Sequence, residues 1–275
     1  MSRILAVHNS HNASICETKD NNIIYFQEAE RLNKVKKTSD WSILLDRYEN
    51  NDFDKIIFIN AVDDEDVSKN ICIQLLDKYH ITYKEFIFDI NHHFYHACSS
   101  YYNSGYKESF VLVIDGHGIR YKDKLEIISC YYFRKNKFKK IFKLYSSKDK
   151  EYIENKDVVI NTLSLGHFYT MTKEILNYKE EGSVMGLSSY GNEIFTDKFF
   201  IEKFNHFSSV QSLIYNMHIE SIKDKKILMC RTVQRELERI VLKYISNIIK
   251  NKKRNLCVSG GVFQNTVLNS KILDI

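Results

Sequence analysis

Proline is absent from this chain of 275 residues, and glycine occurs only nine times. Both are scarce, because average usage is about 5% proline and about 7% glycine. Lysine, isoleucine and asparagine are abundant instead, a bias that indicates an AT-rich genome rather than a particular fold. The few glycines are therefore expected where the backbone needs them, in tight turns or beside a ligand.

A Cys-x-x-Cys pair is also missing, although the chain has six cysteines. Their wide spacing argues against a zinc ribbon or a redox motif and favours reduced, mostly buried thiols. No segment reaches the ~20 apolar residues of a membrane span, and the apolar run at residues 4–7 is too short for a signal peptide. We therefore expect a soluble, cytoplasmic protein with no membrane partner.

The chain also has no strong excess of one charge, because 40 basic and 35 acidic residues leave a net charge of only +5. The basic clusters at 135–140 and 252–254 do not alternate with aromatic residues as in a nucleic-acid-binding module, so we expect solvated surface and no nucleic-acid partner. With 44% hydrophobic and 27% charged residues, the composition is that of an ordinary globular protein. The length allows one large domain or two lobes.

Hydrophobic periodicity predicts a similar order of elements in each half of the chain. In the first half we expect strands at 3–8, 12–18, 23–29, 55–60 and 84–89, and helices at 40–49, 65–79 and 92–102. In the second half we expect strands at 109–114, 125–133, 138–145 and 255–259, helices at 164–177, at 227–250 and from 264, and a glycine-punctuated loop at 181–191. Such repeated β-β-β-α-β-α units predict an α/β protein with two ribonuclease-H-like lobes, 1–108 and 109–275, as in the ATPases of the actin, Hsp70 and sugar-kinase group.

Three histidines lie at the start of the helix predicted at 92–102. His92 and His96 are four residues apart, and His93 and His96 are three apart, so either pair lies on one face of the helix. Two imidazoles at such a spacing can bind one metal ion. Pairs of this kind are also common as surface or packing features, so the histidines alone do not establish a site.

Two glycine-containing turns follow predicted strands. The first is Asp115-Gly116-His117-Gly118, whose backbone amides and carboxylate are suited to a phosphate group or its Mg²⁺. The second is Gly260-Gly261, which precedes a helix and can bring backbone N–H donors close to a ligand. A metal site beside phosphate-binding turns predicts a nucleotide-dependent enzyme, although a bare Gly-Gly pair could also be a plain tight turn.

Taken in order, these segments resemble the O-carbamoyltransferases of the nodulation (NodU) and cephamycin (CmcH) type, whose first domain is similar to the TsaD-type tRNA threonylcarbamoyl transferases. The matching segments are His11-Asn12-Ala13-Ser14, Glu28-Ala29-Glu30-Arg31 with Lys36, residues 92–97 (His-His-Phe-Tyr-His-Ala), residues 114–118 (Ile-Asp-Gly-His-Gly), residues 182–191 (Gly-Ser-Val-Met-Gly-Leu-Ser-Ser-Tyr-Gly) and residues 259–265 (Ser-Gly-Gly-Val-Phe-Gln-Asn). They follow the family order across nearly the whole chain. At residues 11–14 the family usually has His-Asp-Ala-Ser.

The resemblance implies a biosynthetic carbamoyltransferase. In the family, carbamoyl phosphate and ATP give a carbamoyl-adenylate, and the carbamoyl group then passes to a hydroxyl of an acceptor, commonly a sugar-like or secondary metabolite. By matching position, His92 and His96 would bind a divalent metal ion, which could be Fe, Mn, Zn or Mg.

The resemblance also implies roles for other residues. His11 and Lys36 would be catalytic: both would neutralise phosphate charge, and His11 could be the general base for the acceptor hydroxyl. The implied nucleotide-binding residues are Asp115, Gly116, Gly118, Gly260, Gly261 and Asn265. Purely structural interpretations of these two residues stay open: His11 could cap a turn, and Lys36 could be one more solvated lysine.

Family members continue past the position of Ile275 with a glycine-rich stretch, which brings a metal-binding aspartate, and with a second domain that handles carbamoyl phosphate. We therefore expect a truncated form with an incomplete second lobe, and a second chain could supply the absent domain. Two alternatives are an ATP-dependent kinase-like enzyme of the same fold and a non-catalytic nucleotide-binding remnant. The paired histidines count against the kinase, because such kinases do not need them.

Overall fold

The computed structural model of this chain describes residues 2–60, 65–121, 124–147, 152–154, 157–160, 164–190, 222–250 and 254–275. The chain divides into two compact units, Met1–Tyr95 and His96–Ile275. Each unit contains one mixed sheet, so the predicted α/β class is confirmed. The predicted lobe border after residue 108 stays a prediction.

The first unit is built on a five-stranded sheet. Its strands are β1 Arg3–His8, β2 Ser14–Lys19, β3 Asn22–Glu28, β4 Asp52–Ile59 and β5 Thr82–Asp89. Its helices are α1 Glu30–Asn33 and α2 Glu65–Lys78, and α3 His92–Asn103 begins in this unit. The strand order is β3-β2-β1-β4-β5, with β1 antiparallel to β2 and parallel to β4.

Alternate residues of β1 and β4 form the core of the first unit. Leu5 pairs with Ile56 and Val7 with Phe58, and all four side chains are fully buried. This is the period-two pattern of a strand with one face in the core. Because β1, β4 and β5 are parallel, their last residues lie along the same edge of the sheet.

The helix predicted at 40–49 is wrong. The segment forms two 3-10 helices, Ser42–Leu44 and Asp46–Tyr48. Its apolar side chains are buried at the expected helical spacing, namely Trp41, Leu44, Leu45 and Tyr48. Short segments gain little from the cooperativity of an α-helix, so this one packs the same side chains through tighter 3-10 turns.

The second unit is built on a larger sheet. Its strands are β6 Glu108–Ile114, β7 Arg120–Tyr121, β8 Lys124–Arg134, β9 Lys137–Ser147, β10 Tyr152–Glu154, β11 Asp157–Ile160 and β12 Leu256–Ser259. Beyond the last part of α3, its helices are α4 Leu165–Ile175, α5 Glu181–Ser188, α6 Ile222–Ile249 and α7 Thr266–Leu273. The order is β10-β11-β9-β8-β6-β12, and β7 pairs with β8.

The two sheets share a pattern. In the second unit β6 is antiparallel to β8, β8 is antiparallel to β9, and β6 is parallel to β12. These strands therefore repeat the order and directions of β1, β2, β3 and β4 in the first unit. The predicted repeat of architecture is confirmed.

Strand β6 lies between β8 and β12 in the sheet of the second unit. Residues 111–114 are fully buried, as expected for a strand covered on both faces. Leu112 and Ile114 belong to the hydrophobic core that also contains Phe168 of α4, Val184 of α5 and Leu237 of α6. The helices predicted at 164–177 and 227–250 are confirmed in this packing.

The glycine-punctuated loop predicted at 181–191 is wrong over residues 181–188, which form α5, and Gly191 lies outside the described residues. Gly182 and Gly186 are exposed, whereas Val184 and Ser188 are buried one turn apart. Burial of that face outweighs the low helix propensity of the two glycines. In the part of the chain that the structure describes, no helix is long and apolar enough to cross a membrane.

Candidate metal and nucleotide site

The first two turns of α3 carry three histidines, His92, His93 and His96. His93 is fully buried, whereas one third of the His96 side chain is exposed. His92 and His96 lie one turn apart on the same continuous helix, although the border between the two units falls between them, after Tyr95. They share a face of that helix because residues four apart do so.

Asp115 directly follows the end of β6 and contacts His96. The distance between Asp115 Oδ2 and His96 Nε2 is 3.2 Å. The other carboxylate oxygen, Oδ1, accepts a hydrogen bond of 2.7 Å from the backbone N–H of Gly116. The Nδ1 atom of His96 lies 3.4 Å from Ser259 Oγ at the end of β12. Asp115 and Ser259 thus contact opposite nitrogens of one imidazole.

His92, His96 and Asp115 form one group of metal-binding side chains. One ligand atom from each lies within 4.8 Å of the other two. In a tetrahedral site with bonds of about 2.1 Å, two ligand atoms would lie roughly 3.4 Å apart, close to the His96–Asp115 distance. Ser259 could accept a hydrogen bond from the second nitrogen of His96, as outer partners of metal-bound histidines do. Two imidazoles and one carboxylate at this spacing could hold a metal ion.

Two more histidines lie near His92 within the first unit. His8, the last residue of β1, has its ring centroid 6.0 Å from that of His92 and 6.4 Å from that of His11. His11 is exposed in the turn after β1, and its Nδ1 lies 3.3 Å from Ser10 Oγ. The structure therefore brings the predicted catalytic His11 into one histidine cluster with the predicted metal ligand His92.

Lys36 lies in the exposed turn after α1. The backbone N–H of Ala13 donates to Thr38 O at 3.0 Å, and that of Ala29 donates to Ala13 O at 2.8 Å. These bonds hold the backbone after His11 against the segment that carries Lys36. The catalytic roles of both residues stay predictions.

Gly260 and Gly261 pack against the turn at residues 115–119 that follows β6, which we call the Asp115 turn. Gly260 has φ +99°, and a Cβ atom there would lie 2.4 Å from the carbonyl oxygen of Ile114. A Cβ at Gly261 would lie 2.9 Å from Asp115 Oδ1. Gly260 needs glycine because the Ile114 backbone approaches so closely, whereas the close neighbour of Gly261 is the Asp115 side chain. The two glycine turns predicted from sequence are thus neighbours in the second unit.

The Asn265 side chain is buried and bonded within the protein. Its Oδ1 accepts from the backbone N–H of Leu268 at 2.9 Å, which caps α7. Its Nδ2 donates to Gln234 Oε1 at 2.7 Å, and the same oxygen accepts from Tyr169 OH at 2.7 Å. Asn265 therefore links α4, α6 and α7 and fixes the helix that follows Gly260-Gly261.

Two backbone amides of the Asp115 turn also have protein partners. The N–H of Gly116 donates to Asp115 Oδ1, and the N–H of Gly118 donates to Glu126 O at 2.7 Å. Contact of Gly116 or Gly118 with a nucleotide stays a prediction. In this conformation such a contact would not use these two N–H donors, which are already bonded within the protein.

The first turn of α4 packs onto the same turn. The side chain of Ser164 caps the helix by accepting from the N–H of His167 at 3.0 Å. The His167 ring stacks on that of His117, with centroids 5.6 Å apart. Burial, together with the neighbouring His117, lowers the pKa of His167 below its ordinary value, so His167 is neutral near pH 7.

Gly166 makes the closest approach between α4 and the Asp115 turn. A Cβ there would lie 2.7 Å from both the Cα and the N of Gly116. We expect Gly166→Ala to lower the free energy of unfolding by about 1–3 kcal/mol, because backbone faces backbone and cannot yield easily. Urea denaturation measures the change. The matched control is Gly186→Ala in α5, where nothing lies within 4 Å of the added Cβ and a gain of up to ~1 kcal/mol is expected. Equal stability of the two variants would contradict the close approach.

Cysteine chemistry is not expected at this site. Cys98 lies on α3, but burial raises its pKa to about 11, so its thiol stays protonated near neutral pH. Burial likewise raises the pKa of Cys72, beside Asn9, to about 12.

Sequence reasoning missed two residues of the site, His8 and Ser259. Each is the last residue of a strand in a parallel pair, β1 with β4 and β12 with β6. Ligands of open α/β sheets bind at the carboxyl ends of such strands, and this rule could have singled out both residues.

The two mixed sheets with their repeated strand order define an α/β protein of the actin-like, sugar-kinase type of ATPase fold. Full-length HypF in its phosphate- and nucleotide-bound form matches with a TM-score of 0.57 and 14% identity over 99% of this chain and 50% of that chain. Component A of the Acidaminococcus fermentans (R)-2-hydroxyglutaryl-CoA dehydratase matches with a TM-score of 0.53 and 11% identity over 100% and 88%. At these identities the likeness shows the fold alone.

The HypF of T. kodakarensis matches with a TM-score of 0.51 and 11% identity over 99% of this chain and 43% of that chain, so this chain spans about half of HypF or less. The sequence matches the family described as carbamoyltransferase N-terminus over residues 50–275. The chain belongs to this family, which supports carbamoyl transfer as its general chemistry. No curated protein matches the sequence.

Proposed function

We propose that this chain is the N-terminal part of an O-carbamoyltransferase of the nodulation and cephamycin type. It would form a carbamoyl-adenylate from carbamoyl phosphate and ATP, with release of orthophosphate and pyrophosphate. The carbamoyl group would then pass to a hydroxyl of a sugar-like or secondary metabolite, with release of AMP. The observation that carries the proposal is the group of His92, His96 and Asp115 beside the glycine turn at 260–261. Family membership supports the carbamoyl group, and the ATPase fold supports the nucleotide.

His92, His96 and Asp115 would hold a divalent metal ion. Two imidazoles and one carboxylate favour Fe, Mn or Zn over Mg, which prefers oxygen ligands throughout. Such an ion would act as a Lewis acid that polarises a carbonyl oxygen and neutralises phosphate charge. Asp115 is thereby given a role as metal ligand in addition to lining the phosphate side of the second unit.

Other residues would bind and orient the substrates. His11 would take the proton of the acceptor hydroxyl, because a neutral imidazole is a suitable base near pH 7. Lys36 would neutralise phosphate charge. Gly260 and Gly261 would let the backbone approach the adenosine end, with α7 held in place by Asn265. Carbamoyl phosphate would be handled by a further domain or by a second chain.

We also propose a cytoplasmic location. ATP and carbamoyl phosphate are cytoplasmic metabolites, and all six cysteines are unpaired thiols, which fits a reducing compartment.

The test is product analysis with labelled ATP, carbamoyl phosphate, Mn²⁺, a panel of sugar-containing acceptors and, as a second chain, the carbamoyl-phosphate domain of a family member. We expect orthophosphate from carbamoyl phosphate, and AMP and pyrophosphate from ATP that form only when carbamoyl phosphate is present. Formation of the carbamoyl-adenylate releases pyrophosphate, and transfer of the carbamoyl group to the acceptor hydroxyl releases AMP. ADP with a phosphorylated acceptor would identify a kinase instead. ATP binding with neither product, even with the carbamoyl-phosphate domain supplied, would favour a non-catalytic remnant.

A further inference from the structure

Glu126 of β8 carries a carboxylate buried inside the second unit. Its side chain has no exposed surface, and Lys143 of β9 is the paired cation, with 2.8 Å between Nζ and Oε1. Ser129 also donates a hydrogen bond to Oε1. A buried charge is costly unless it is paired and hydrogen-bonded, and here both conditions are met. None of the site roles described above uses this pair.

The second oxygen of the carboxylate points away from Lys143, toward the Asp115 turn. Oε2 of Glu126 accepts a hydrogen bond of 3.3 Å from the backbone N–H of Ile119. The backbone of Glu126 adds two more bonds: its O accepts from Gly118 N at 2.7 Å, and its N donates to Ile119 O at 2.9 Å. Three hydrogen bonds from one residue therefore hold the end of the turn.

The start of the turn is held by the next residue of β8. The N–H of Asp115 donates to Ile127 O at 3.4 Å. The pairing of β8 with β9 shifts register between Glu126 and Ile128, as at a β-bulge. Bulges of this kind re-aim a side chain locally. Here the bulge lies at Glu126, whose carboxylate contacts both the ammonium of Lys143 and the backbone N–H of Ile119.

We propose that Glu126, held by Lys143, is a positioning residue for the metal site. It fixes the turn that follows Asp115, so that Oδ2 of Asp115 faces His96 while Oδ1 stays bonded to Gly116. Glu126 acts through the backbone of Gly118 and Ile119 and does not touch the ligand. This inference rests on the proposed metal site, and it names the residue that sets the geometry of the carboxylate ligand.

The test uses the double variant Glu126→Gln with Lys143→Met. Removing both charges avoids leaving a lone buried ammonium, and such neutral replacements are often tolerated. We expect the double variant to bind Co²⁺ about 10–100-fold more weakly than the unaltered chain, as when an outer partner of a metal ligand is lost. We also expect a shifted visible spectrum of the bound Co²⁺. The amide of Ile119 should exchange with solvent about tenfold faster, because it loses its charged acceptor.

The matched control is Lys140→Met with Asp157→Asn. This pair also lies in the second sheet, with Lys140 Nζ 2.9 Å from Asp157 Oδ2. Asp157 Oδ1 also accepts from the backbone N–H of Lys143 at 3.2 Å, and the asparagine replacement keeps an oxygen for that bond, so the Glu126–Lys143 pair is left in place. We expect Co²⁺ affinity, spectrum and Ile119 exchange to stay unchanged in this control.

Two results would overturn the inference. One is a double variant of lower stability with unchanged Co²⁺ affinity, spectrum and exchange, which would make the pair merely structural. The other is an equal loss of affinity in the control. If the unaltered chain bound no Co²⁺, the proposed metal site would fail instead, and unchanged Ile119 exchange in the double variant would then reject the positioning role separately.

Discussion

Replacing Gly260 with alanine is expected to lower the free energy of unfolding by about 3 kcal/mol or more. Two causes add. The backbone at φ +99° is unfavourable for any residue with a Cβ, and the added Cβ would lie 2.4 Å from Ile114 O and 2.8 Å from Ile114 C. Ile114 is fully buried at the end of strand β6, which is paired on both sides, so its backbone cannot move away cheaply. Urea denaturation followed by circular dichroism measures the loss.

Gly105 provides the matched control for Gly260. It also has a positive φ, +73°, but nothing lies within 4 Å of an added Cβ. Gly105→Ala therefore isolates the cost of the backbone conformation, about 1 kcal/mol. If the two alanine variants lost the same stability, the close approach of Gly260 to β6 would be rejected.

The second large effect is expected in metal binding. Replacing His92 and His96 together with glutamine should weaken Co²⁺ or Zn²⁺ binding by more than about 100-fold, since loss of an outer partner alone costs roughly 10–100-fold. Asp115→Asn should weaken binding in the same direction while keeping an oxygen for the N–H of Gly116. Isothermal titration with each metal measures the constants.

A surface histidine controls for non-specific binding by imidazole. His80 is exposed in the turn after α2 and has φ +53°, a conformation that asparagine adopts readily. His80→Asn should bind metal as the unaltered chain does. Stoichiometric metal retained after both helix histidines are removed would show that the ion binds elsewhere.

The fold could be predicted from the sequence where hydrophobic periodicity is strong. Residues 110–114 form a continuous apolar run and became the buried strand β6, and the stripe along α6 contains the buried Val233, Leu237, Val241 and Ile245. Periodicity was weaker evidence at 40–49 and 181–188, because in these short segments tertiary packing decides the type of helix. Long, strongly periodic helices and strands were thus easier to predict than the conformation of these two short segments.

The candidate site could be predicted only in part. The spacing of His92 and His96 on one helix is a local feature, so sequence alone supplies it. The contact of His96 with Asp115 joins two residues that are 19 positions apart in sequence. The hydrogen bond from Ile119 N–H to Glu126 Oε2 likewise depends on how two segments of chain are paired. The hydrogen bonds from Glu126 to the turn depend on the pairing of β6 with β8 and on the bulge in the pairing of β8 with β9, which no local pattern reveals.

The most direct test of the metal site is anomalous X-ray diffraction from crystals of the chain soaked in Co²⁺ and measured at the cobalt edge. We predict one strong peak about 2.1 Å from a nitrogen of His92, from Nε2 of His96 and from Oδ2 of Asp115. Well-ordered side chains without a peak between them would contradict the account. The 3.2 Å contact between His96 and Asp115 would then be an ordinary ion pair rather than two ligands of one metal.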